Sequence, residues 1–129
     1  PGRYGVPGTS LLLVNGGRGP DGVPRFVDAT DRLAPGLARA GMVTDAAWAD
    51  VDGDRRADLV VVGEWMPVRV FRQENGRLVD RTEAAGLAGS EGWWNVVTVA
   101  DLNGDGRQDL VLGNVGLNTY LRASAERPA

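Results

Sequence analysis

Residues 50–61 read DVDGDRRADLVV, and residues 101–112 repeat this pattern as DLNGDGRQDLVL, 51 positions further along the chain. Each copy places acidic or amide side chains at alternate positions of a short glycine-containing loop. Each loop then leads directly into an apolar segment rich in β-forming residues. Gly41 recurs as Gly92 with the same spacing. Self-similarity at a fixed period near 50 residues is typical of proteins built from stacked repeats.

The segments between the loops predict short strands separated by turns that contain Gly or Pro. RFVDAT at residues 25–30 recurs as RLVDRT at residues 77–82. The continuous apolar runs at 60–62 and 110–112 predict strands that are buried on both faces. One complete repeat is predicted to contain an inner strand at 46–49, the acidic loop, a buried strand at 59–63, a third strand at 68–72 and a fourth strand at 77–82.

Turn signals separate these strands. Glu74-Asn75-Gly76 predicts a hairpin turn between the third and fourth strands. Residues 11–14 and 26–27 predict the same hairpin one repeat earlier, with a longer loop. That loop contains a G-x-G-x-x-G match at residues 17–22, but its prolines exclude the helix that a dinucleotide-binding motif must open. Thr30 and Thr82 are predicted to cap a single helical turn after each hairpin.

Four antiparallel strands in about 50 residues is the size of one β-propeller blade. We predict an all-β fold of antiparallel four-stranded blades, with about two and a half repeats in a single propeller segment over residues 1–129. The repeat units are expected at residues 10–40 (partial), 41–91 (complete) and 92–120 (partial). A closed propeller needs roughly four to eight blades. The chain is therefore predicted to be either a segment of a longer polypeptide or a unit that assembles with its own copies.

The acidic loops have the chemistry of a Ca²⁺ site. Ca²⁺ takes six to eight oxygen ligands, which alternate positions of a tight loop can supply. In the first loop the predicted ligands are Asp50, Asp52, Asp54, the backbone carbonyl of Arg56 and Asp58. In the second loop they are Asp101, Asn103, Asp105, the backbone carbonyl of Arg107 and Asp109. The sequence thus predicts two Ca²⁺ sites.

Two other interpretations of the loops are less favoured. An EF-hand needs an acidic residue at position 12, where this chain has Val61 and Leu112. The aspartates could simply shape turns, but two loops share the same spacing, and four carboxylates in one turn repel each other without a cation. Position 6 is expected to need a positive φ. Gly106 adopts a positive φ without strain, whereas a positive φ at Arg55 costs about 1–2 kcal/mol.

Composition excludes several other functions. The chain has no Cys, no His and no Lys, so thiolate nucleophiles, zinc sites of Cys and His, and Schiff-base lysines are absent. The formal charge is −3, and seven of the 17 acidic residues lie in the two loops. No basic patch indicates nucleic acid, and no apolar run reaches the roughly 20 residues needed for membrane insertion.

Two further groups of residues are open to a functional interpretation. The four tryptophans are predicted to pack between blades, with a sugar site as the alternative; they are Trp48, Trp65, Trp93 and Trp94. Asp28 and Asp80 occupy equivalent repeat positions. Because duplicated positions are more often structural, these two are interpreted as structural rather than as a catalytic pair.

The loops resemble the D-x-D-x-D-G-x-x-D-L motif of FG-GAP/VCBS repeats. Trp93-Trp94-Asn95 and the run GNVGLN at residues 113–118 are similar to bacterial VCBS proteins related to cartilage acidic protein. The resemblance covers roughly residues 10–120, although Arg55, Asn103 and the absence of a Phe-Gly…Gly-Ala-Pro signature depart from the common pattern. It implies a β-propeller, mainly structural calcium, and an extracellular, cell-surface or periplasmic location.

The leading functional prediction is a non-enzymatic, calcium-stabilised set of propeller repeats in a secreted or surface protein, serving adhesion, assembly or partner binding. Open strand edges near residues 11–14 and 110–112 are expected to recruit other protein segments or copies of the chain. Two alternatives stay open: the propeller part of an extracellular carbohydrate-active enzyme, and a lectin-like binder of glycans.

Overall fold

A computed structural model describes residues 5–115 of the chain. Its elements, in chain order, are β1 (Leu13–Arg18), β2 (Pro24–Asp28), a one-turn helix α1 (Thr30–Leu33), a 3₁₀ turn (Leu37–Arg39), β3 (Met42–Ala49), β4 (Asp58–Met66), β5 (Arg69–Glu74), β6 (Arg77–Asp80), β7 (Gly92–Ala100) and β8 (Asp109–Asn114). Within this part of the chain no helix is long and apolar enough to cross a bilayer.

The strands form antiparallel pairs throughout, in the grouping that the repeat predicts. β1 and β2 form a hairpin, β3 to β6 form a four-stranded unit in chain order, and β7 pairs with β8. The described residues thus hold the last two strands of one blade, all four of the next and the first two of a third. The fold is all-β with antiparallel sheets, as expected of a partial β-propeller segment.

The second and third repeats are joined through contacts of β3 and β4 with β7. The end of β4 pairs with the start of β7, where Glu64 lies opposite Trp93. The hydroxyl of Thr44 on β3 donates to the carbonyl of Trp94 on β7 across 2.8 Å. The backbone N–H of Val97 donates to Asp45 Oδ2 across 3.0 Å. The second and third units therefore stack side by side with defined polar contacts.

Strand boundaries differ from the prediction by a few residues. The inner strand begins at Met42 rather than at residue 46, because its start pairs with the far end of β4. The third strand ends at Glu74 rather than at residue 72, and the fourth ends at Asp80 rather than at residue 82. The third predicted repeat unit, 92–120, extends beyond the described residues at 116–120, and the GNVGLN run does so at 116–118.

β4 is buried on both faces, as its apolar run predicts. Val60, Val61 and Val62 are at most 1% exposed, and burying each contributes about 1.5–3 kcal/mol. One face packs on the segment after β2, in a cluster of Ala34, Leu37, Ala40, Leu59, Val61, Met66, Phe71 and Leu78. The other face packs toward the third unit, in a cluster of Ala49, Val60, Val62, Val68, Val70 and Val97.

The same prediction is wrong for the run at 110–112. Val111 on β8 is 45% exposed, although its sequence counterpart Val60 is fully buried. β8 pairs only with β7 among the described residues, so no third strand and no further layer covers it there. Burial of this strand depends on what lies next to it, which its own residues do not encode.

The predicted threonine caps are also wrong. α1 carries no side-chain cap. The Thr30 hydroxyl instead accepts the backbone N–H of Leu12 across 2.8 Å, and the Thr82 hydroxyl accepts that of Val70 across 3.2 Å. Thr30 therefore joins the end of the β1–β2 hairpin to Leu12, which directly precedes β1. Thr82 joins the end of the β5–β6 hairpin to Val70 on β5.

Asp28 and Asp80 hold the turns that position these threonines. Asp28 Oδ1 accepts the backbone N–H of Thr30 across 2.9 Å, and Asp80 Oδ1 accepts that of Thr82 across 3.0 Å. The Thr30 hydroxyl also donates to Asp28 across 2.6 Å and is the main cause of the lowered pKa of that carboxyl. Both aspartates have the same structural contact in the two repeats, which agrees with the structural interpretation of this pair.

The hairpin turn between β5 and β6 is confirmed. Asn75 and Gly76 have φ values of 51° and 76°, which is the pattern of a type I′ turn that matches the twist of a two-stranded ribbon. The longer loop between β1 and β2 is a hairpin connection as predicted, and its glycines open no helix.

Candidate metal centre

The first residue of each acidic loop organises the loop backbone. Asp50 accepts the backbone N–H groups of Gly53 at 2.8 Å, Asp54 at 3.0 Å and Arg55 at 2.9 Å. One carboxylate thereby satisfies the donors of three successive residues, and the chain turns tightly around it.

The second loop repeats this arrangement. Asp101 accepts the N–H groups of Gly104 at 2.7 Å, Asp105 at 3.2 Å and Gly106 at 2.9 Å. The N–H of Gly106, followed by that of Gly104, lowers the pKa of Asp101, because hydrogen bonds to the charged form favour it. Two loops 51 positions apart thus share one backbone conformation.

The sixth position has the positive φ that the spacing predicts. φ is 67° at Arg55 and 82° at Gly106. A side chain in this left-handed region costs roughly 1–2 kcal/mol, so the first loop is strained where the second is not.

The middle positions of the two loops also correspond. Asp52 and Asn103, at position 3, each accept the N–H of position 5, at 3.1 and 2.9 Å. Asp54 and Asp105, at position 5, each accept the N–H of position 7, at 2.8 Å. The backbones of Arg56 and Arg107, whose carbonyls are predicted ligands, are therefore fixed by the same contact in both loops.

The closing aspartates tie each loop to the strand that follows. Asp58 is fully buried; its Oδ2 accepts the N–H of Val51 across 3.2 Å, and its Oδ1 accepts the N–H of Gln73 on β5 across 2.7 Å. Asp109 Oδ2 accepts the N–H of Leu102 across 2.9 Å. Asp58 therefore connects the first loop to the third strand of its blade, a link that the sequence does not predict.

Three of the predicted ligands in the first loop converge. One carboxylate oxygen from each of Asp50, Asp52 and Asp58 lies within 4.8 Å of the other two. Asp54 is not part of this group, and its Oδ2 pairs with the Arg56 guanidinium across 2.5 Å. The backbone N–H of Arg56, followed by its guanidinium, lowers the pKa of Asp54.

The aspartates of the second loop form no such group within residues 5–115. Asn103 replaces a carboxylate there, and its side-chain N–H₂ donates to Asp105 across 3.3 Å. The predicted ligand atoms of both loops are oxygens, which a hard divalent cation prefers. The chemistry of the donor set therefore fits Ca²⁺, and the first loop brings its oxygens closer together than the second.

Two residues outside the predicted set also reach the first loop. The Arg72 guanidinium from β5 contacts Asp52 Oδ2 and lies 3.9 Å from Asp54 Oδ2. The side chain of Gln108, from the second loop, accepts the backbone N–H of Asp50 across 2.6 Å. No loop spacing could identify either contact, since one depends on the pairing of β4 with β5 and the other on the stacking of two repeats.

The tryptophans are placed differently from one another. The rings of Trp65 and Trp93 lie 5.1 Å apart at the β4–β7 junction, and Trp94 Nε1 donates to the Ser90 carbonyl across 2.9 Å. These three pack where neighbouring repeats meet, as predicted. The prediction is wrong for Trp48, which is 54% exposed. It lies beside a cleft of about 110 Å³, which is small against the roughly 300–1,000 Å³ of typical ligand pockets.

Residues 50–112 match the model of the FG-GAP-like repeat family. The match includes both acidic loops and the strands between them. It therefore supports the resemblance to FG-GAP repeats and the presence of a propeller-type repeat domain. No curated protein and no solved structure matches the chain. The closer likeness to VCBS relatives of cartilage acidic protein stays a prediction from the sequence.

Proposed function

We propose that this chain forms Ca²⁺-binding structural repeats of a β-propeller in a secreted or cell-surface protein. The observation that carries the proposal is the repetition of one loop conformation at Asp50–Asp58 and residues 101–109, with three carboxylates converging in the first loop. Repeats of this family are typically extracellular. The proposed role is adhesion, assembly or partner binding, without catalysis.

Ca²⁺ is the cation that suits these loops. It accepts carboxylate, amide and carbonyl oxygens in a flexible geometry, whereas Mg²⁺ demands a compact octahedron. A bound cation would supply the positive charge that clustered carboxylates need. In the first loop Arg56 and Arg72 supply part of that charge, so they are expected to compete with the cation there.

Calorimetric titration of chelator-treated protein with Ca²⁺ tests the proposal. We expect two binding events in the unmodified chain and weak competition by Mg²⁺. Asp50→Asn should abolish the event of the first loop, and Asp101→Asn that of the second. The matched control is Asp31→Asn, which removes an exposed carboxylate on α1, outside both loops. Absence of binding in the unmodified chain would refute the proposal.

The strand edges support a role in assembly. The β1–β2 hairpin has the same threonine contact as the β5–β6 hairpin, so Leu13 on β1 corresponds to Phe71 on β5. Phe71 is fully buried and its strand pairs with β4, whereas Leu13 is 52% exposed and β1 pairs only with β2 among the described residues. We therefore propose that another protein segment, or a copy of the chain, supplies a strand like β4 at this edge.

The enzyme alternative would require converging acids away from the loops. A cleft of about 560 Å³ is lined in part by Asp80 and Glu83. Asp80 is paired with Arg69 across 3.1 Å and holds the turn at Thr82. This arrangement gives Asp80 a structural contact and favours the non-enzymatic proposal.

A further inference from the structure

The two acidic loops contact each other through a side chain. The backbone N–H of Asp50 donates to Gln108 Oε1 across 2.6 Å, between residues 58 positions apart in consecutive repeats. Asp50 is the first residue of its loop and Gln108 directly precedes Asp109, the closing residue of the next loop. The contact therefore joins the start of one candidate metal loop to the end of the other.

This contact is a property of the second loop and not of the repeat. The residue of the first loop that corresponds to Gln108 is Ala57, whose side chain cannot form a hydrogen bond. The repeat conformation is complete without such an amide, as the identical backbone contacts of the two loops demonstrate. Gln108 thus adds an interaction between loops that folding of each loop does not need.

The position of the Gln108 side chain depends on the order of its own loop. Arg107 is held by its N–H bond to Asp105, and Asp109 is held by its bond to Leu102. A cation in the second loop would restrain these neighbours and so fix the amide that Asp50 contacts. Asp50 also accepts three N–H bonds within the first loop, so restraining it restrains that loop as well.

Resting on the proposed function, we propose that Gln108 couples the two loops, so that a divalent cation in either loop raises the affinity of the other. Binding of the first cation includes the entropy cost of ordering the contact between Asp50 and Gln108. Binding of the second cation then has a smaller entropy cost. Linkage requires the effect to be equal in both directions. One net hydrogen bond corresponds to a coupling of about two- to tenfold in affinity.

A double-mutant cycle measures this coupling. The Ca²⁺ affinity of the first loop is determined by calorimetry in the unmodified chain, in Asp101→Asn, in Gln108→Ala and in the double variant. We expect Asp101→Asn to weaken the first loop by about two- to tenfold when Gln108 is present and to have no effect when Gln108 is replaced. Asn95→Ala, which removes an exposed amide from β7, is the control and should leave the cycle unchanged.

Hydrogen exchange gives a second readout that does not depend on calorimetry. The Asp50 amide should exchange more slowly when Ca²⁺ is added to the unmodified chain, and this protection should be smaller in Gln108→Ala. Equal weakening by Asp101→Asn with and without Gln108 would overturn the coupling while leaving the calcium proposal intact. Absence of Ca²⁺ binding in all four proteins would overturn both.

Discussion

Replacing Asp58 by Asn should destabilise the chain even without metal. Asp58 is fully buried and its two oxygens accept N–H groups from Val51 and from Gln73. An Asn side chain has the same shape but only one acceptor oxygen. Its N–H₂ group must therefore face one of the two backbone donors, and a buried donor without an acceptor costs about 1–3 kcal/mol.

Asp109→Asn is the matched control, because it makes the same change at the corresponding position. Asp109 is partly exposed, and its Oδ2 accepts the N–H of Leu102. An Asn can rotate to keep that contact, so we expect a loss within about 0.5 kcal/mol, the usual range for such surface substitutions.

Thermal unfolding in EDTA separates this effect from metal binding. At roughly 4 °C per kcal/mol for a chain of this length, Asp58→Asn should lower Tm by about 4–12 °C. Asp109→Asn should lower it by about 2 °C or less. Equal shifts for the two variants in EDTA would refute the tie between the loop and β5. A shift for Asp58→Asn that occurs only with Ca²⁺ would show that Asp58 acts as a ligand alone.

The remaining predictions concern cation binding, stability at low pH and the exposed edge of β1. EDTA should lower Tm of the unmodified chain, since Ca²⁺ at a hundredfold excess over Kd stabilises by about 2.7 kcal/mol; an unchanged curve means that the loops hold without metal. Arg72→Gln should raise the Ca²⁺ affinity of the first loop several-fold by calorimetry, because Asp52 then loses a competing cation, and unchanged affinity would exclude that competition. The lowered pKa of Asp101 gives stability that is present above the unfolded pKa of about 3.9 and lost as pH falls through the folded pKa. The free energy of unfolding, measured with denaturant in EDTA, should therefore fall less steeply with decreasing pH in Asp101→Asn than in the unmodified chain. Equal pH dependence in the two proteins would contradict this. Leu13→Lys should reduce association measured by light scattering, whereas Val6→Lys, outside the strands, should not; equal association by both variants would exclude the β1 edge.

The sequence predicts what is local and repeated. The paired loops, the positive φ at Arg55 and Gly106, and the hairpin turn at Asn75 and Gly76 all depend on contacts within a few residues, so spacing alone identifies them. The grouping of strands follows from the period of about 50 residues, because each blade repeats the same order.

The wrong predictions share a physical cause, which is dependence on residues outside the local segment. Thr30 is predicted to cap a helix, but the N–H of Leu12, 18 positions earlier, donates to its hydroxyl. Val111 is predicted to be buried, but β8 pairs only with β7 among the described residues. The contact of Asp52 with Arg72 likewise requires the sheet to form, and the contact of Asp50 with Gln108 requires the two repeats to stack.

The distribution of positive charge indicates how the two loops would differ in binding. The first loop has four carboxylates, but Arg56 and Arg72 already pair with two of them, and Arg55 is strained. The second loop has one carboxylate fewer and a glycine at the strained position. A larger number of acidic ligands therefore does not by itself make the first loop the tighter site. Gln108 joins the loops, so under the proposed coupling the Ca²⁺ affinity of each loop would depend on the other, and only variants that isolate one loop would rank them.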